Sequence, residues 1–158
     1  MASNYDLLVD LYEVDFKKKE ECSYKIIRVL SPNSDKVVDF IKTNFNTSWA
    51  SEAKAALYRP NPTCFIAVDN KKIIGFACYD ATAKGFFGPL GVDPNYRGKK
   101  IGQALTLTCL EALYNDGYAY AIIGGVSERT KAFYDKICKV TPIENSRKIY
   151  TTRLVEYN

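Results

Sequence analysis

Residues 91–105 read GVDPNYRGKKIGQAL. A β-rich run, Lys84 to Val92, ends at the turn Asp93-Pro94-Asn95. Ile101, Leu105, Thr108, Cys109 and Ala112 then recur on one face of a helix. Gly117 stands just past the last periodic residue, where a left-handed cap closes a helix. Tyr118 to Ile123 is a continuous apolar run, the pattern of a strand buried on both faces. A strand, a long helix and a strand in that order form a crossover. A hairpin has no room for such a helix, so the two strands run parallel.

The rest of the chain builds outward from this unit. Upstream, Thr63 to Val68 and Ile73 to Tyr79 read as strands joined by the Asp69-Asn70 turn, hence antiparallel. Before them, Val37, Val38, Ile41 and Phe45 mark one helix from Asp35, and a second, capped by Ser48, spans Trp49 to Tyr58. Pro60 and Pro62 end it. Tyr24 to Leu30 is a further strand. Residues 1–22 stand apart as an N-terminal extension. Tyr5 to Val14 is an extra strand at most, and Lys17 to Glu21 a solvated, charged loop. Downstream, Ser127 caps a helix running through Lys139, and two short strands, Thr141 to Ile143 and Lys148 to Val155, complete a single domain over residues 23–158.

Composition narrows the chemistry. The chain has 158 residues with 47% hydrophobic and 25% charged, enough for one well-buried core. With no histidine, a Ser-His-Asp triad, a Cys-His pair and a His-ligated zinc are all excluded. The five cysteines, Cys22, Cys64, Cys78, Cys109 and Cys138, are odd in number and form no CxxC, so no metal site is expected. They read as free thiols in a reducing compartment, the cytoplasm, and no leader or membrane-spanning segment is visible. A net charge of +4, dispersed along the chain, argues against a nucleic-acid partner.

The chemistry concentrates at the entry to the crossover helix. A helix N-terminus offers unpaired N–H groups and partial positive charge. Gly98 permits a sharp turn, Gly102 a close approach, and Arg97, Lys99 and Lys100 add charge. A phosphate or pyrophosphate fits such a place; so does a basic helix cap with no ligand. Neither GxxxxGK[ST] nor GxGxxG is present.

The same string resembles motif A, [QR]-x-x-G-x-[GA], of the GNAT superfamily of N-acetyltransferases. Arg97 fills the first position and Gly102 the last, with Lys100 where glycine is usual. Residues 127–136, SERTKAFYDK, resemble the family's N-x-x-A-x-x-x-Y-E-K helix, with Tyr134 matching and Ser127, Thr130 and Asp135 replacing the usual residues. The usual Gly-Phe after that helix is Cys138-Lys139-Val140 here. Phe76 to Val92 resembles a bacterial branch whose acceptors are unassigned.

The resemblance implies a mixed, mostly antiparallel sheet with one splayed parallel pair and helices on both faces. It implies acetyl-CoA as cosubstrate, its pyrophosphate on Arg97, Gly98, Lys99, Lys100, Ile101, Gly102 and Gln103. The pantetheine arm would lie along Leu90, Gly91 and Val92, with Ser127 and Tyr134 also at the cofactor. The Val92 N–H would hold the thioester oxygen, and Tyr134 would donate a proton to the leaving thiolate; outside the family pattern, Tyr134 reads as a core aromatic. Glu52, Asp80 or a water ordered by Tyr79 or Tyr120 are candidates for the base. Trp49, Phe86 and Phe87 could line the acceptor pocket. The expected acceptor is a primary amine of a small molecule or peptide, and the alternative function is a sensor that binds acetyl-CoA without transferring its acetyl group. A homodimer could form if the N-terminal strand paired with a neighbour's sheet edge.

Overall fold

A computed structural model describes residues 4–156 and gathers them around one seven-stranded sheet. The strands are β1 (Tyr5–Asp10), β2 (Lys25–Arg28), β3 (Cys64–Asp69), β4 (Lys72–Tyr79), β5 (Phe86–Val92), β6 (Tyr120–Val126) and β7 (Val140–Pro142), in spatial order β2-β3-β4-β5-β6-β1-β7. Every pair is antiparallel except β5–β6, as the crossover requires. The α-helices are α1 (Ser34–Asn44), α2 (Thr47–Leu57), α3 (Ile101–Asn115), α4 (Glu128–Asp135) and α5 (Lys148–Arg153).

Alternation along the strands divides the core in two. Phe65 and Ala67 of β3 and Ile74 of β4 face α3, where they meet Ile101, Leu105 and Leu110. Cys64, Ile66, Phe76 and Cys78 face α1 and α2 and pack on Val37, Ile41, Ala53 and Leu57. The sheet therefore carries helices on both faces.

The N-terminal segment does not lie at the periphery. β1 is inserted between β6 and β7, with Val9 opposite Ala121 on one side and Val140 on the other. Leu7, Val9 and Leu11 are fully buried. Being paired on both flanks, β1 offers no free edge to a second copy, which corrects the dimer route drawn from sequence. Lys17 to Glu21 are solvent-facing, as expected, but not a loop. Phe16–Glu21 is a 3-10 helix against α3, tied by the Lys19–Glu111 ion pair and by Gln103, whose Nε2 donates to Lys18 O (3.1 Å) and Glu21 Oε1 (3.0 Å). This cover explains why α3 is buried well beyond the single face its periodicity marked.

Three further expectations change at the helices. α2 is capped by Asn46, whose Oδ1 accepts the Trp49 N–H at 2.7 Å, not by Ser48. α4 ends at Asp135 rather than Lys139, because Val140 is drawn into the sheet beside β1. Lys148–Arg153 is helix α5, not a strand.

Candidate active site

The parallel pair opens almost at once. Phe86 pairs with Ile122 and Phe87 with Ile123, and no pairing follows beyond Phe87. Pro89 has no N–H to continue the ladder, and Gly88 (φ +126°) and Gly125 (φ +66°) hold the two diverging ends in conformations that suit glycine. On the other flank β5 stays bonded to β4, with the Asp93 N–H donating to Ile74 O at 2.8 Å. Strand groups alternate with period two. Gly91 therefore also faces β4, and the N–H groups of Leu90 and Val92 face the gap.

A cleft of about 940 Å³ extends from this gap. Leu90 and the ends of both strands line it, with Trp49, Glu52, Thr82, Tyr134 and Tyr150. Tyr134 reaches it from α4, which Ser127 opens with a capping box: its Oγ accepts the Thr130 N–H, and Thr130 Oγ1 accepts the Ser127 N–H at 2.8 Å. The Ser127 hydroxyl is thus committed to the helix. The Tyr134 ring packs edge-on against Phe87, 6.2 Å between centroids, and is 7% exposed. Its hydroxyl makes no hydrogen bond to another described residue. Burial pushes its pKa up, so the phenol is protonated at neutral pH.

The two carboxylates considered from sequence part company. Glu52 lines the cleft from α2 and accepts a hydrogen bond from Thr82 Oγ1. Partial burial raises its pKa, against the smaller opposing pull of that hydrogen bond. Asp80 instead holds the β4–β5 turn, its Oδ1 accepting the Gly85 N–H at 2.7 Å. Tyr79 is buried against Arg28, whose Nη1 donates to its hydroxyl at 2.9 Å, and neither Tyr79 nor Tyr120 lines the cleft. Trp49 and Phe87 do line it, and Phe86 does not. No cysteine does, and burial pushes the Cys138 thiol up to about 11.

At the mouth of α3, Arg97, Gly98, Lys99 and Lys100 are all exposed. Ile101 and Gln103 are buried, so the side chains of these two serve the core and the N-terminal 3-10 helix, leaving only their N–H groups for a ligand. Two glycines make room for the protein's own side chains. A Cβ on Gly91 would sit 2.5 Å from the Phe45 ring, and one on Gly102 would meet Phe133 at 3.0 Å. Lys100, where the motif has glycine, adopts φ +65°. A left-handed non-glycine residue costs about 1 kcal/mol. Lys100→Gly is therefore expected to raise unfolding stability by up to ~1 kcal/mol, read from the denaturant midpoint. The ion pair lost to Glu21 is exposed and 3.8 Å long, and contributes little.

A splayed parallel pair, a basic helix mouth and a buried tyrosine at one gap meet a family match covering residues 15–139, to the acetyltransferase (GNAT) family. The chain belongs to the GNAT family. β1 lies outside the matched span. Solved GNAT structures share the fold. A GCN5-related glucosamine N-acetyltransferase region of a fungal multi-domain β-N-acetylglucosaminidase aligns at TM-score 0.70 and 15% identity, over 88% of this chain and 20% of that one. A GCN5-related N-acetyltransferase from Sphaerobacter thermophilus aligns at TM-score 0.67 and 15% identity, over 90% and 50%. One from Kribbella flavida gives TM-score 0.61 and 16% identity, over 89% and 55%. The chain thus spans from a fifth to about half the length of these relatives. No curated protein matches it in sequence. Among the described residues no cluster could hold a metal ion, and no helix is long and apolar enough to cross a membrane.

Proposed function

We propose that this GNAT domain is an N-acetyltransferase that moves an acetyl group from acetyl-CoA to a primary amine of a small molecule or peptide, in a reducing, cytoplasmic setting. The observation that carries this reading is the early break of β5 from β6. It sets free strand-edge N–H groups, the Tyr134 phenol and the Glu52 carboxylate around one cleft. The residues present fit acetyl-CoA. The exposed Arg97, Lys99 and Lys100 and the first N–H groups of α3 would hold the pyrophosphate. The unpaired edge at Leu90 and Val92 would take an amide-bearing arm as an added strand.

When bound, acetyl-CoA supplies an acetyl group already activated as a thioester. The Val92 N–H donates to the thioester oxygen as negative charge gathers there. Glu52 takes the proton that the amine nitrogen must lose to bond the acetyl carbon. Tyr134 gives its proton to the sulfur as the C–S bond breaks, and regains one from solvent.

Release of free CoA thiol from acetyl-CoA, measured across a panel of amines, tests the reading. Turnover with at least one amine, together with a rise in melting temperature on adding acetyl-CoA, is expected. A melting shift without turnover for any amine would leave a sensor and overturn the enzyme. A pH profile tests Glu52. Its raised pKa should place an acid limb in kcat/KM above the ordinary carboxylate range, and Glu52→Gln should remove that limb. The same shift has a stability sign. Between the unfolded and folded pKa the native state binds more protons, so stability falls as pH rises through that window. Glu52→Gln should accordingly melt slightly higher than the parent near neutral pH.

A further inference from the structure

The cleft is nearly devoid of charge. Among the described residues Glu52 is the one carboxylic side chain lining it, and no lysine or arginine does. The rest of the wall includes Trp49, Pro89, Leu90, Leu154 and the rings of Phe87 and Tyr134, relieved by the Asn4 carboxamide, small hydroxyls and the Tyr150 phenol. Tyr150 is itself held in place, its hydroxyl donating to Asp6 Oδ1 at 2.5 Å.

An uncharged wall discriminates by what it fails to neutralise. A substrate carboxylate entering with the amine would find no cation and would be repelled by Glu52. A second ammonium would be desolvated with no partner. A single ammonium at Glu52, on an apolar body against Trp49, leaves nothing unpaired.

We propose that the acceptor is a monoamine on an uncharged, largely apolar body, an alkylamine or arylalkylamine, rather than an amino acid, a polyamine or an aminoglycoside. This rests on the acetyl-transfer reading, and deepens it.

Phenylethylamine, L-phenylalanine, spermidine and kanamycin separate these classes. CoA release by the full chain should give phenylethylamine a kcat/KM at least tenfold above each of the others. Saturation-transfer NMR on the CoA-loaded protein should show phenylethylamine binding and phenylalanine at least tenfold weaker, whether or not acetyl moves. Ala55 is exposed, lines the cleft and lies three residues after Glu52 on α2, hence on the same helical face. Ala55→Glu adds the missing second carboxylate and should raise the ratio of kcat/KM for spermidine to that for phenylethylamine about tenfold. If spermidine, kanamycin or phenylalanine is turned over by the parent as well as phenylethylamine, the acceptor class is wrong while the transferase stands. If phenylethylamine binds selectively and no amine is acetylated, the transferase reading falls and the selectivity of the cleft remains. Equal binding of phenylethylamine and phenylalanine overturns the inference outright.

Discussion

Deleting residues 1–11 is expected to leave the chain unfolded. Leu7, Val9 and Leu11 are fully buried against the α3 face of the sheet. Burying three such side chains contributes roughly 5–9 kcal/mol, as much as the whole net stability of many domains. The deletion also strips the ladders from β6 and β7, which both pair with β1. It removes Asp6 as well, the acceptor for the Gly125 N–H (2.9 Å) and the Tyr150 hydroxyl. Circular dichroism and a cooperative melt read the outcome. A truncated chain that melts like the parent would make the segment a dispensable extension after all. Leu7→Ala is the graded version, expected to cost about 2–5 kcal/mol through the cavity it leaves.

Tyr134→Phe should keep acetyl-CoA affinity and melting temperature while kcat falls by ~10²-fold, within the usual range for losing a general acid. The ring stays, so its edge contact with Phe87 survives. The hydroxyl has no partner among the described residues, so the fold loses no hydrogen bond with it. Only the proton supply to the departing sulfur changes. Turnover with the best amine and acetyl-CoA affinity, measured separately, distinguish the outcomes. Unchanged turnover makes Tyr134 a packing residue. A joint collapse of affinity and melting temperature makes it structural, and the acid role would be withdrawn.

The crossover unit was legible in the sequence because each signal there is local. The turn at Asp93-Pro94-Asn95, the period of α3, the Gly117 cap and the apolar run of β6 each decide their own conformation, and together they require a parallel pair. The break in that pair sits at Pro89, which lacks an N–H, and between Gly88 and Gly125, whose positive φ is likewise a property of single residues. Arg97 to Gly102 stood out as a basic, glycine-containing helix entry, and Tyr134 only through the resemblance to the family's helix motif. The partners of these segments were not legible. Nothing between residues 5 and 14 says that they pair with residues 120–126, more than a hundred positions away. That choice carries β7 to the outer edge of the sheet, beyond β1. Glu52 and Asp80 are two carboxylates of equal standing in sequence. The fold turns the first into the cleft through α2 and spends the second on the Gly85 N–H. The sequence by itself determined where the chain turns and where its backbone is left unpaired, which are properties of neighbouring residues. Tertiary structure alone decided which strand fills the last place in the sheet and which carboxylate meets the cleft, because both follow from competition for one position between distant segments.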